Sequence, residues 1–232
     1  MIDSKISHTI KSNLVIIASL ALLALALYFA QYSDFDVKMQ NHFFDFGAKK
    51  WLVDKSEPVA KFFFYQLPKF LFGVVIVASL TFAVIGKNRR KFFLIFLGLA
   101  LIPLTVGNIK KFTNIYCPTQ LEIFDGDKPY VKIFSKYPQD FKSDKAGKCF
   151  PAGHAITGFA FFILCFVFIK KSHKIYAFFA VTIYGWILGS YQILKGAHFF
   201  SDTLVSMLAC FLMAAIIAKI YETRLAKTPL KN

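Results

Sequence analysis

The chain has 232 residues, 56% of them hydrophobic, with 29 Phe and a formal charge of +15, and its mean hydropathy is +0.53. That composition excludes a disordered or collagen-like chain, and it gives a water-soluble globule more apolar surface than it can hide. Four Cys with no CxxC pair carry no zinc or redox signature.

An α-helix rises about 1.5 Å per residue and must cross about 30 Å of hydrocarbon, so runs of about 17 to 25 apolar residues are the unit to seek. Six are predicted: Leu14 to Ala30, about Phe62 to Ile85, Phe92 to Ile109, Ala155 to Ile169, Ile175 to Leu194 and Thr203 to Ile220. Lipid cannot satisfy exposed backbone groups, and these runs are too long and too evenly apolar for barrel strands, so each is expected to be a helix. The first follows Lys5 and Lys11 as a secretory signal would. Its core is long for such a segment, and YFAQYSDFD behind it offers no small-x-small cleavage site, so it reads as a retained helix. Pro68 and Pro103 predict kinks or breaks. With no internal repeat or low-complexity linker, residues 1–232 read as a single integral membrane domain, an all-α six-helix bundle.

Short links orient the bundle. Lys87, Arg89, Arg90 and Lys91 separate runs two and three, and Lys170, Lys171 and Lys174 separate runs four and five, which predicts both links on the cytoplasmic side. Both termini are then inside, with Lys5, Lys11, Lys219, Arg224, Lys227 and Lys231. The loops at roughly 31 to 61, 110 to 153 and 195 to 202 are outside. Inside segments carry 13 cationic and 2 acidic residues, outside ones 15 and 11 when Lys69, toward the outer end of the second run, is counted with them. The basic balance is therefore topological, and no nucleic-acid module accompanies it. The first external loop, NHFFDFGAKKWLVDKSEP at its centre, mixes Phe, Trp and Lys as interfacial segments do, either anchoring on the bilayer surface or gating a substrate.

Three clusters of reactive or polar residues fall on the same predicted side: Lys110 with Cys117 and Pro118; Cys149 through His154; and Gln192 with Gly196, Ala197, His198 and Asp202. A spacing of four sets Asp202 one helical turn from His198, where a carboxylate fixes the imidazole tautomer and leaves the other ring nitrogen as nucleophile or base. Alternatively, Ser201 or Asp202 simply caps the last helix. His154 follows Pro151, Ala152 and Gly153, small residues that let backbone N–H groups approach an anion at a helix start, and an imidazole there can deliver a proton to a leaving oxygen. Lys110 either snorkels to the interface or lines a phosphate pocket. Lys111, Lys148 and Lys195 adjoin the same clusters, which implies an anionic substrate.

Taken in order, Lys110 then six residues then Cys117-Pro118, Pro151-Ala152-Gly153-His154, and Gln192 then five residues, His198, three residues and Asp202 resemble the three motifs of type 2 phosphatidic acid phosphatases, the PAP2 superfamily. The matching region spans residues 110 to 202, and the six runs are similar to the membrane branch of that superfamily rather than its soluble haloperoxidases. The sequence departs from the usual pattern where Cys117 and Gln192 replace Arg, Ala152 replaces Ser and Tyr191 replaces the Ser beside the second Arg. Two bidentate guanidinium contacts to phosphate are thereby lost. Gln192 still donates hydrogen bonds, and Lys111, Lys148 or Lys195 can supply charge, so a divergent active branch is expected.

The resemblance implies attack by His198 on phosphorus to form a phosphohistidine, Asp202 holding the ring, His154 protonating the leaving group, and Lys110, Gly153, Gln192 and Lys195 in the phosphate site. No metal or cofactor is implied, and the sequence shows no carboxylate cluster that would hold a metal ion. Cys117 and Cys149 are the only external cysteines and each adjoins a motif, so in an oxidising compartment they are expected to bridge. The expected protein is a lipid phosphatase of a cytoplasmic (inner) membrane with its site facing the periplasm or exterior. Its partner is a phosphorylated lipid: phosphatidic acid, phosphatidylglycerol phosphate, a polyprenyl diphosphate or a lipid A phosphate. A phosphotransferase of the same fold, or a non-catalytic lipid-binding or transport protein, is the alternative.

Overall fold

The computed structural model describes residues 2–143 and 145–227, with side chains from 12 to 225. Lys231 and the side chains of Lys5, Lys11 and Lys227, all counted above toward the inside charge, lie outside the described residues.

Ten α-helical segments are described: α1 (Ile2–Tyr32), α2 (Phe35–Asn41), α3 (Pro58–Lys61), α4 (Leu67–Ile85), α5 (Arg89–Asn108), α6 (Lys110–Thr113), α7 (Gly153–Phe159), α8 (Leu164–Val167), α9 (Lys171–Leu194) and α10 (Phe200–Lys227). The only strands among the described residues form a two-residue antiparallel ladder, β1 (Phe44–Asp45) against β2 (Lys50–Trp51), within the first long loop.

Five helical stretches are long and apolar enough to cross a membrane: Ser12–Tyr32, Pro58–Ile85, Arg89–Gln120, Lys171–Leu194 and Phe200–Leu225. The predicted fourth run departs from expectation. It is the shorter apolar stretch Gly153–Val167, in which a 3-10 turn at Ala160–Ile163 separates α7 from α8 and Phe168 turns extended. At about 1.5 Å per residue it falls short of about 30 Å of hydrocarbon. It is sheltered by protein instead, with Ala155, Ile156, Phe159, Ala160, Phe162 and Ile163 all buried. Pro68 stands just after a π-helical turn at Phe62–Gln66 that joins α3 to α4, whereas α5 runs through Pro103 without a break.

α10 is central, packing against α1, α5, α7 and α9, while α4 lies at the edge against α5. Burial agrees: 56% of the most apolar stretch of α10 is inside the protein, against 11% for α4. Because lipid tails are as apolar as a protein core, helices in a bilayer associate through close packing. Gly158 of α7 and Gly185 of α9 provide it: a Cβ on Gly158 would lie 2.8 Å from the Gly185 Cα, and one on Gly185 would lie 2.2 Å from the Phe159 ring.

The two ends of the bundle differ. At one end Asn88 and Lys91 share a cavity wall with Lys170 and His173, and the Tyr221 hydroxyl donates to the Arg90 carbonyl. That brings the two basic links and the end of α10 together. At the other end the loops interlock. The Thr119 N–H donates to the Gly196 carbonyl at 2.9 Å, the Cys149 N–H to Ile115 at 2.8 Å and the Val53 N–H to Leu194 at 3.3 Å, which seats the three motif segments beside one another.

Candidate active site

The segment 195–202 joins α9 to α10 and carries the centre of the site. Gly196 turns it with φ +69°, and a side chain there would run into the Trp51 indole 2.3 Å away, so the residue needs both the left-handed backbone and the missing Cβ. The turn closes with the Ala197 N–H on the Gln192 carbonyl at 2.8 Å. His198 and Asp202 follow, 7% and 2% exposed.

His198 Nδ1 lies 3.3 Å from Asp202 Oδ2. The same oxygen accepts the Phe199 N–H at 3.0 Å, so one carboxylate oxygen of Asp202 meets both the backbone that opens α10 and the imidazole edge. With Nδ1 directed at a carboxylate, the lone pair sits on Nε2. A separation of 3.3 Å is long for a charge-assisted bond, and such bonds commonly tighten when substrate binds. Burial, Lys110 and Lys195 push the His198 imidazole down to about 3, so it is neutral at physiological pH.

Cys117 and Cys149 are joined by a disulfide, with Cα atoms 5.0 Å apart. The Cys149 sulfur lies 3.3 Å from His198 Nδ1 and 2.9 Å from the Ala197 carbonyl oxygen. Cys149, His198 and Asp202 offer donor atoms within 4.8 Å of one another, the one grouping of metal-ligand type among the described residues. The bridged sulfur is committed to its partner, which leaves one imidazole and one carboxylate, fewer than the three protein ligands of an ordinary catalytic zinc.

The second motif packs directly on the third. The Ala152 N–H donates to the Asp202 carbonyl at 3.2 Å, and Ser206 Oγ donates to the same carbonyl at 2.7 Å. His154 is buried, its ring stacked on Tyr65 with centroids 4.0 Å apart and planes 12° apart, and its Nε2 has no hydrogen-bond partner. Tyr65 belongs to the π-helical turn, a local distortion frequently found at functional sites.

Lys110 reaches Gly153 so closely that a Cβ there would lie 2.8 Å from its Nζ, and it acts electrostatically on both Asp202 and His198. Lys195 lies over Tyr191 at 4.4 Å and Tyr65 at 5.4 Å. Gln192 is buried with its side-chain nitrogen unpaired. His198, Asp202, His154, Lys110, Gly153, Gln192 and Lys195 are thus brought to one end of the bundle. Lys111 is exposed, and Lys148 lines a separate surface cavity with Tyr116, Cys117 and Lys128. Neither joins the histidine pair.

Four residues of the site lie in or beside the first long loop and outside the three motifs. Asp36 accepts from the Ser201 N–H at 2.9 Å and from its hydroxyl, and Gln40 Nε2 donates to the His198 carbonyl at 2.7 Å. Trp51 covers Gly196, and Tyr65 floors His154. The spacing of four between Asp36 and Gln40, polar residues on one face of a short helix, is the sequence signal that marks them. Trp51 also lines a cleft of about 340 Å³ with Phe44, Lys49, Lys50, Lys55 and Lys195.

Fold and site together define a helical membrane protein with a buried His–Asp pair, a second histidine and converging lysines at one end of its bundle. The model of the PAP2 superfamily matches residues 91–226, and the chain belongs to that superfamily. It is also similar to a lipid A 4'-phosphatase of Francisella tularensis subsp. novicida (strain U112), 27% identical over 184 residues that cover 76% of this chain and 81% of the relative. No solved structure matches.

Proposed function

We propose that the protein is a metal-independent membrane phosphatase that removes a phosphate from a lipid headgroup through a phosphohistidine. The observation that carries this reading is the buried His198–Asp202 pair set beside His154 and Lys110. Superfamily membership and the similarity to a lipid A 4'-phosphatase support it.

In the first step His198 Nε2 attacks phosphorus. An N–P bond forms as the bond from phosphorus to the lipid oxygen breaks, and His154 gives its proton to that oxygen; the substrate dianion beside it favours the protonated imidazole. Asp202 accepts from Nδ1–H and balances the charge that the ring acquires. Lys110 and Lys195 supply fixed positive charge to the phosphoryl oxygens, the electrostatic contribution expected where two guanidiniums are replaced. Water, deprotonated by His154, then attacks phosphorus, breaks the N–P bond and releases inorganic phosphate. The unpaired nitrogens of His154 and Gln192 are hydrogen-bonding valences that a phosphate would fill.

In this reading the chain crosses the membrane six times as one domain, the Gly153–Val167 stretch, too short to span as a helix and enclosed by its neighbours, completing the fourth crossing with the extended residues at Phe168 and Lys170. Both termini and the basic links are cytoplasmic, and the site faces the exterior or periplasm of an inner membrane. The cleft beside Lys195 holds the headgroup beyond the phosphate. A lipid A type headgroup agrees with the relative, with phosphatidic acid, phosphatidylglycerol phosphate and polyprenyl diphosphate as the other substrates to compare.

The test is phosphate release by the detergent-purified protein from these four lipids, with and without EDTA, alongside His198→Ala. Release that survives EDTA and disappears in the variant supports the reading. Equal release from both proteins overturns it.

A further inference from the structure

α2 belongs to none of the three motifs, yet two of its side chains are buried against the segment that carries His198. Asp36 is 7% exposed and Gln40 0%. Spaced by four, they share one helix face. Asp36 takes both the N–H and the hydroxyl of Ser201, and Gln40 gives its amide to the His198 carbonyl. The bonds bridge 165 and 158 residues of chain. We propose that Asp36 and Gln40 are positioning residues: α2 clamps the backbone at His198 and Ser201 so that the His198 imidazole meets phosphorus in line.

The inference rests on His198 being the nucleophile. Asp202 fixes the plane of the ring, but a ring is placed only as well as the peptide that bears it. Without the clamp, residues 195–199 keep the Gly196 turn, the Thr119 bond to Gly196 and the Cys149 contact with Ala197, but the His198 carbonyl loses the amide that Gln40 gives it and the first turn of α10 loses Asp36. Gln40 fixes the carbonyl of the nucleophile itself, and Asp36 fixes the first turn of α10, from which Asp202 projects. The pair therefore acts on both members of the His–Asp couple without facing the substrate.

The burial of Asp36 is costly, which argues against a role confined to docking α2. Its carboxyl is pushed up to about 6 by desolvation and by the nearby Asp202. An apolar side chain would dock α2 without a second buried carboxyl beside the first. A misplacement on the order of 1 Å at a reacting group costs about 10²-fold in rate, the scale on which the clamp should register.

The experiment uses the full chain in detergent with the volume-conserving variants Asp36→Asn and Gln40→Met, together with Ser201→Ala and Asp36→Asn/Ser201→Ala. Turnover of the best lipid substrate, inhibition by orthovanadate and the unfolding midpoint are measured on each. The expected result is kcat lower by about 10- to 100-fold with KM within about 2-fold, vanadate binding weakened by a similar factor, and a double variant no slower than Asp36→Asn alone. Unchanged kcat and vanadate affinity in folded Asp36→Asn and Gln40→Met, even with a lowered midpoint, would reduce α2 to a docking element and overturn the proposal. If Asp36→Asn does not fold, Gln40→Met decides alone. His198→Ala separates the two levels: vanadate bound as tightly by that variant as by the unaltered protein removes the nucleophile reading itself. A loss in His198→Ala with no change in the α2 variants removes only the clamp.

Discussion

Asp202 reaches back one helical turn to His198, its Oδ2 lying 3.3 Å from Nδ1 while also taking the Phe199 N–H at 3.0 Å. One oxygen thus sets both the start of α10 and the tautomer of the imidazole. Asp202→Asn keeps the shape but removes the negative charge that balances the imidazolium, and, turned so that its amide faces Nδ1, it gives up the Phe199 N–H and reverses the tautomer. The expected loss in kcat is about 10³- to 10⁴-fold with the protein still folded, read from steady-state phosphate release and circular dichroism.

Tyr65 stacks on His154 at 4.0 Å. Tyr65→Phe retains the ring and should leave kcat within about 2-fold, whereas Tyr65→Ala removes the floor under His154. An aromatic pair contributes about 0.5 to 1.5 kcal/mol, so kcat for Tyr65→Ala should fall by about 2- to 10-fold. Parallel kinetics on the two variants check it.

The Cys117–Cys149 bridge closes a segment of 32 residues and places its second sulfur against the His198 ring. Cys117→Ala/Cys149→Ala is expected to cost about 2 to 4 kcal/mol of stability. A lower unfolding midpoint than the oxidised protein, matched by reductant-treated protein, is the outcome to look for. Four free thiols in unreduced protein would mean that the bridge does not form.

The His198 imidazole is held at about 3 in the folded protein against an ordinary 6.5. Between those values the unfolded chain binds more protons than the folded one, so stability falls as pH drops from about 7 toward 3. Asp36, pushed up from 3.8 to about 6, contributes with the opposite sign. Comparing the protein with His198→Gln cancels that contribution. The midpoint of His198→Gln should fall less steeply on acidification, and parallel slopes would contradict the assignment.

Gly185→Ala would drive a methyl into the Phe159 ring, 2.2 Å away, whereas a Cβ on Gly107 meets nothing within 4 Å. Gly185→Ala is expected to cost about 1 to 3 kcal/mol by overpacking α7 against α9. Gly107→Ala should be neutral or slightly stabilising. Unfolding midpoints in one detergent compare the two directly.

What the chain order by itself determined is what depends on local pattern. Apolar runs become helices because a bilayer leaves no other way to satisfy the backbone, and five of the six predicted runs are long apolar helices in the structure. His198 and Asp202 could be paired on paper because four residues make one helical turn. Superfamily membership was legible for the same reason, since its motifs are short and lie in fixed order. Tertiary structure decided whatever depends on chain segments far apart. The run after Gly153 became a short helix with a 3-10 turn because neighbouring helices, rather than lipid, enclose it. Lys195 came to lie over Tyr65 and Tyr191 while Lys148 went to another cavity, a distinction invisible in two lysines that each stand beside a motif. Asp36, Gln40, Trp51 and Tyr65 entered the site only when the first long loop folded back over segments that follow it by 89 to 165 residues. Local periodicity gives Asp36 and Gln40 a common helix face but not the partners of that face, because burial and hydrogen-bond pairing are properties of the packed assembly.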